Sequence, residues 1–267
     1  MINLILSLLM SISFADLKKP KTVKELKSVT AQISNPERTS GGSGTVIQAD
    51  NSGSIILTNN HVCEAMEQGW IVTVNNNASK VNKFKKFDKH DLCLIQVSKN
   101  FGYHVNLSKR IPDVTETSIV SGHPLMLPQI VTEGHFSEEM DINIMVDVRE
   151  CTEEEFASLG MQCMFGMPIT RTFPSQMTSN LIQPGNSGSA VFNEKGEVAG
   201  VIFAGIGDIG FAFIVPAIYV TYFVVNSSAY KWETIQSNTS KEKDKKVKNF
   251  CVSNGNKACK FNDMLMR

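Results

Sequence analysis

The stretch Ile182 to Phe192, "IQPGNSGSAVF", sets two glycines, Gly185 and Gly188, around Ser187 and then runs into apolar, strand-like residues. A plain turn needs one glycine. Two of them flanking a serine describe a backbone that bends tightly and turns its N–H groups outward. Such a bend can display a hydroxyl and hold an oxyanion. Taken alone, an ordinary hairpin loop explains it equally well, so the rest of the chain has to decide.

A nucleophilic serine needs a base beside it and an acid to orient that base. All five histidines, His61, His90, His104, His123 and His135, precede Ser187. An order of serine, acid, histidine, as in an α/β-hydrolase, is therefore excluded, and only a histidine-first order is left. His61 lies in "SIILTNNHVCEAM", where an apolar strand ends in Thr-Asn-Asn and the histidine opens a short helical turn. Asp91 lies in "KHDLCLIQV", directly before an alternating apolar strand. Both residues thus fall at strand ends, where a side chain can reach out of a sheet. The other four histidines read as loop or surface residues.

The chain has 267 residues, 42% of them hydrophobic, with 26 basic residues balanced by 26 acidic ones. It is long enough for one large or two small cores, and no global field points to nucleic acid. The lysines of "KEKDKKVK" (241–248) read as a solvated linker. The start, "MINLILSLLMSISFAD", is short and apolar and ends in small residues, so residues 1–15 read as a signal peptide and the protein as exported, periplasmic or secreted, with a buried N-terminal helix or a short membrane anchor as the alternative. Beyond that segment no membrane span is expected. Six cysteines in an exported chain are compatible with disulfides. The local pairs Cys151 with Cys163 and Cys251 with Cys259 are favoured, which leaves Cys63 and Cys93 to each other or as buried thiols. No spacing resembles a zinc site, and neither metal nor cofactor is expected.

Residues 16–38 are polar with a weak helical period and read as an N-terminal arm. From there, short β-rich runs such as "SGTVIQA", "SIILTNN", "WIVTVNN", "LCLIQVS" and "EVAGVIFAG" alternate with turns such as "DNSG" and "NEKG". Many short strands between polar turns describe an all-β barrel or sandwich. Residues 216–235 have few breakers and read as a terminal helix, with a polar linker and a tail around Cys251 and Cys259 after it. No internal repeat is visible in the sequence.

In this setting the chain resembles the trypsin-like (chymotrypsin-fold) serine proteases, most of all their bacterial HtrA branch. "GGSGTVI" with "ILTNNHV" resembles the entry to that branch's catalytic histidine, "HDLCLIQV" its aspartate segment and "QPGNSGSAVFN" its nucleophile loop. "SGHPLMLPQIVTEGHFS" and "IGFAFIVPA" match two further segments, in the right order over residues 40–218.

The resemblance implies two six-stranded Greek-key β-barrels, about 39–108 and 109–216, in a protease domain spanning 39–220, with residues 221–267 as helix, linker and tail. It implies that Ser187 is the nucleophile, His61 the general base and Asp91 its orienting acid. Backbone N–H groups of Gly185 and Ser187 would form an oxyanion hole. The substrate pocket would be walled by Leu181, Phe211, Ala212 and Phe213. The partner implied is a protein or peptide substrate. Three departures from the branch stand out. Ser189 replaces a usual glycine, residues 138–177 are longer and more acidic than the usual connection, and the stretch after residue 218 is too short for the branch's usual PDZ domain. Two other roles use the same residues: a catalytically silent binding module on the protease fold, and a self-processing viral or phage protease.

Overall fold

Two rings of antiparallel strands account for most of the architecture. The structure, a computed structural model, describes residues 23–159, 163, 166–206 and 210–235. The expected signal peptide, the lysine-rich linker and Cys251 with Cys259 lie outside the described residues.

The first ring is built from β1 (Thr30–Ser34), β2 (Gly41–Asp50), β3 (Gly53–Thr58), β4 (Ile71–Val74), β5 (Asn77–Phe87) and β6 (Leu92–Val97). Its pairing order is β1-β2-β3-β6-β5-β4, and β4 returns to β1. The second uses β7 (Thr117–Gly122), β8 (Ile130–Arg149), β9 (Met167–Thr178), β10 (Ala190–Phe192), β11 (Val198–Ile206) and β12 (Phe211–Pro216). Its order, β7-β8-β9-β12-β11-β10, closes on β7. Each ring therefore takes the same Greek-key path, first-second-third-sixth-fifth-fourth, although no repeat shows in the sequence. Closure also removes the free strand edges that would invite aggregation.

Buried apolar residues on the strands of each ring make up the core. Ile33, Val46, Ile56, Leu57, Leu92 and Ile95 are buried in the first, and Val120, Phe136, Val191, Ile202 and Ile214 in the second. Burying side chains of this size stabilises by roughly 1.5–3 kcal/mol each.

The stretch read as an arm over 16–38 contains β1, so the first barrel begins at Thr30 rather than at 39. All five residues of β1 are buried, the polar Thr30, Gln32 and Ser34 included. The polar groups of the first two are met by the other barrel: Thr30 Oγ1 lies 2.7 Å from Ser121 Oγ, and Gln32 Nε2 donates to the Met126 carbonyl at 2.9 Å. Polarity there marks an inter-barrel contact rather than solvent.

The terminal helix is also shorter than the expected 216–235. The helix α3 spans Ala217–Val225, a 3-10 turn comes next, and β13 (Glu233–Thr234) pairs with β5. Phe223 and Val220 of α3 are fully buried, and Phe223 stacks on Phe87 of β5.

The described residues of the stretch 138–177 belong to one long β8–β9 hairpin, with α2 (Glu153–Leu159) between its strands and a Cys151–Cys163 disulfide across its end. Arg171 of this hairpin reaches the first barrel, donating to the Asp88 carbonyl at 3.0 Å.

Candidate active site

His61 and Asp91 meet because β3 and β6 are antiparallel neighbours, with Thr58 opposite Cys93. Past Thr58 the chain turns through extended Asn59 into the short helix α1 (Asn60–Glu64), which carries His61 out of the sheet. Asp91 sits between a 3-10 turn (Asp88–His90) and β6 in the left-handed region, φ 51° and ψ 45°. That conformation is uncommon outside glycine and is tolerated best by Asn and Asp. It aims both carboxylate oxygens at one residue: His61 Nδ1 donates to Oδ2 at 2.7 Å and the His61 backbone N–H to Oδ1 at 2.9 Å. Asn59, fully buried, holds the turn from the other side by donating from Nδ2 to the Asp91 carbonyl at 2.9 Å. A disulfide joins Cys63 to Cys93, each two residues beyond one member of the pair.

The His61 side chain is 38% exposed and that of Asp91 14%. Burial works against a charged imidazole, but the Asp91 charge and hydrogen bond, with Glu64 adding, outweigh it and raise the His61 pKa above its ordinary 6.5. The same bonds fix the tautomer, leaving Nε2 as the basic nitrogen at neutral pH.

Ser187 lies in the loop between β9 and β10. Gly185 and Gly188 have φ of +94° and +85°, which L side chains rarely adopt, and a Cβ on Gly188 would overlap the Ser43 carbonyl and Thr58 Oγ1. The loop is thereby pressed onto the first barrel. Ser43 N–H donates to the Ser187 carbonyl and Ser43 Oγ to the Gly185 carbonyl, both at 2.8 Å. Gly42 stands between the Val62 side chain, next to His61, and the Ser187 carbonyl. Helix α1 and the Ser187 loop therefore border the same short segment of β2.

The N–H groups of Asn186, Gly188 and Ser189 donate to the carbonyls of Gln183, Ile202 and Asn186. Those of Gly185 and Ser187 donate to no group among the described residues, nor does the Ser187 hydroxyl. A turn below the loop, Pro124–Met126, supports it through Leu125 N–H to the Pro184 carbonyl at 2.6 Å.

The expected pocket residues separate. Leu181 is 69% exposed and lies against Gly210, while Phe211 and Phe213 are half-buried on β12. Ala212, between them, points the other way: it is fully buried in the second barrel's core, which corrects its expected place on the pocket wall.

Among the other histidines, His90 is 5% exposed, packed between Phe87 and Tyr219 of α3, and so is a core residue rather than the expected surface one. Burial, with Lys89 nearby, lowers its pKa. Asn59 and Ser43 are the site residues that sequence reasoning missed. Asn59 is visible only as part of "TNNH", a helix-start signal; Ser43 leaves no local signal.

The chain matches known proteins over the segment that holds these residues. A family model described as "Trypsin-like peptidase domain" fits residues 42–201, which carry His61, Asp91 and Ser187. The chain belongs to the trypsin-like peptidase family. Within it, this trypsin-like peptidase is similar to "Probable serine protease do-like" of Buchnera aphidicola (Acyrthosiphon pisum), 29% identical over 185 residues, covering 66% of this chain and 33% of that protein. It is similar too to "Probable periplasmic serine endoprotease DegP-like" of Buchnera aphidicola (Schizaphis graminum), 27% identical over 181 residues, with 66% and 33% covered. The chain thus spans 33% of the length of these curated relatives. In three dimensions it resembles the active form of the Rv3671c protease of M. tuberculosis: TM-score 0.61, 16% identity, 82% of this chain and 88% of that one covered. No helix among the described residues is long and apolar enough to cross a membrane.

Proposed function

We propose that this trypsin-like peptidase is a serine endopeptidase acting on exported proteins. The observation that carries the reading is the two-point hold of His61 by the Asp91 carboxylate, at 2.7 and 2.9 Å, beside a serine loop with two N–H donors that meet no acceptor among the described residues. In the cycle, His61 Nε2 takes the proton of Ser187 as its oxygen attacks the scissile carbonyl. The tetrahedral oxyanion is received by the N–H groups of Gly185 and Ser187, an arrangement worth about 3–4 kcal/mol per donor in such sites. His61, now an imidazolium stabilised by Asp91, gives its proton to the leaving amine, and water repeats the sequence on the acyl-enzyme. The Ser187–His61 hydrogen bond forms as substrate binds, since catalytic contacts are often looser without it.

Leu181, Phe211 and Phe213 supply apolar surface and carry no carboxylate themselves, so a lysine or arginine placed against them before the cut would lose hydration unpaired, which is costly. Small or medium aliphatic residues are the expected choice. Names of relatives that include "periplasmic", together with two disulfides, support an exported setting.

The Ser187 hydroxyl, which donates to no group among the described residues, is the observation that favours the alternative, a silent protease-fold binding module. Purified protein on unfolded casein and on a peptide library decides between the two. Cleavage after aliphatic residues, lost in Ser187→Ala, is expected. Preferred cleavage after arginine would refute the pocket, and no cleavage by either protein would favour the binding module.

A further inference from the structure

We propose that the Cys63–Cys93 disulfide is a positioning clamp that holds His61 and Asp91 in register, so that full turnover requires folding in an oxidising compartment. This rests on the reading of His61 as base and Asp91 as its orienting acid.

The two residues of the pair are carried by poorly self-supporting pieces of chain. Helix α1 has five residues and only a few backbone bonds of its own, Cys63 N–H to the Asn59 carbonyl at 3.3 Å and Ala65 N–H to the His61 carbonyl at 3.2 Å. A single helical turn of that length does not hold itself together and depends on tertiary anchors. Asp91 is held in a left-handed conformation that costs free energy unless its surroundings enforce it. Among the described residues, three links run directly between the two pieces or into the residue ahead of α1: the carboxylate bonds to His61, the Asn59 amide bond to the Asp91 carbonyl, and the disulfide. The first two are hydrogen bonds that water can replace; the disulfide is covalent.

A disulfide placed merely to stabilise the fold could join any two core positions with suitable spacing and direction. This one joins the residue two beyond His61 to the residue two beyond Asp91, across neighbouring strands whose ends carry the pair.

Formation is a two-electron step. The two thiols lose two protons and two electrons to a partner disulfide, by exchange, and the partner leaves as a dithiol. Cys63 and Cys93 are 1% and 0% exposed, so an exchange partner reaches them only in an opened or still-folding chain. The state is therefore set once, at folding, and is not toggled in the native protein.

The test compares wild type with Cys63→Ala/Cys93→Ala and, as a control, with Cys151→Ala/Cys163→Ala, all oxidised and well below their melting temperatures. With the clamp removed, kcat falls at least about tenfold, as small displacements of catalytic groups do, while KM stays within about twofold. The acid limb of the pH–rate profile moves to lower pH, and the low-field Nδ1 proton resonance of His61 broadens or disappears. The control changes none of these. A folded clamp variant with unchanged kcat, acid limb and Nδ1 resonance would overturn the proposal. Should the alanine pair not fold, Cys63→Ala/Cys93→Val restores buried volume and carries the same test. The Nδ1 resonance is read without turnover. A wild type lacking peptidase activity would thus count against the proposed function, while the resonance still decides the clamp.

Discussion

At the scale of single residues, Glu64 offers the sharpest probe of the electrostatics around His61. Its charge adds to that of Asp91 in raising the His61 pKa above 6.5. His61 works as a base only when neutral, so kcat/KM should rise with pH through that raised value. Removing one stabilising charge favours the neutral form: in Glu64→Gln the acid limb should move to lower pH, with the plateau nearly unchanged. A limb that stays in place or moves up would contradict the assignment. Asp91→Asn keeps the shape but presents the wrong tautomer, and a rate loss on the order of 10⁴ is expected from triad chemistry. The linked stability has the sign of a raised pKa: the protonated imidazole stabilises the fold below pH 6.5, and this is lost as pH rises through the folded value.

His61 and Asp91 are legible in the sequence because each stands close to a strand end, and Ser187 because Gly185 and Gly188 flank it in a tight loop. Asn59 and Ser43 are not. Their roles are hydrogen bonds to groups 32 and 142 positions away, and nothing local records such a partner.

Elements were legible where burial enforces a period. "SIILT" and "LCLIQV" read as strands because both lie inside the first barrel. The strands β1, β5 and β9 read poorly for separate reasons. In β1 the polar residues Thr30 and Gln32 face the other barrel. In β5 the lysines Lys80, Lys83, Lys85 and Lys86 break the alternation, and Lys85 is nonetheless 7% exposed, its ammonium donating to the Ser227 carbonyl at 2.6 Å. In β9 the outer residues 168–172 lie on the projecting hairpin, where neither face has a core to meet.

The end of that hairpin is held by local chemistry instead. Thr152 and Glu155 form reciprocal bonds at the start of α2, Thr152 N–H to the carboxylate at 2.9 Å and Glu155 N–H to Thr152 Oγ1 at 3.2 Å. Arg149 grips the same carboxylate with two nitrogens and holds its pKa at about 2. No residue of α2 is buried. The loop-entropy gain of closing this span, roughly 2–3 kcal/mol, therefore belongs to the tip alone. In Cys151→Ala/Cys163→Ala, amide exchange should speed up over Glu153–Leu159 while the melting temperature of the barrels barely moves. A large drop in that temperature would show that the tip is coupled to the core.

For the whole molecule, the decisive arrangement is two barrels with one connectivity, meeting along β1, β2 and the Ser187 loop. The first supplies His61 and Asp91 from neighbouring strand ends, and the second supplies Ser187 from a loop that Gly185 and Gly188 fold onto Ser43. The all-β class and the paired barrels were legible from turn spacing and from the resemblance of the matched segments. Their shared path was not, because two barrels need only the same strand order, not the same residues. The central claim is that this meeting makes Ser187 a nucleophile, and reaction with a fluorophosphonate probe, with peptide mass mapping of the product, measures it most directly. Wild type should take up one equivalent of probe on the peptide containing Ser187, and Ser187→Ala and His61→Ala should take up almost none. Labelling that is absent from wild type, or equal in wild type and Ser187→Ala, would contradict it.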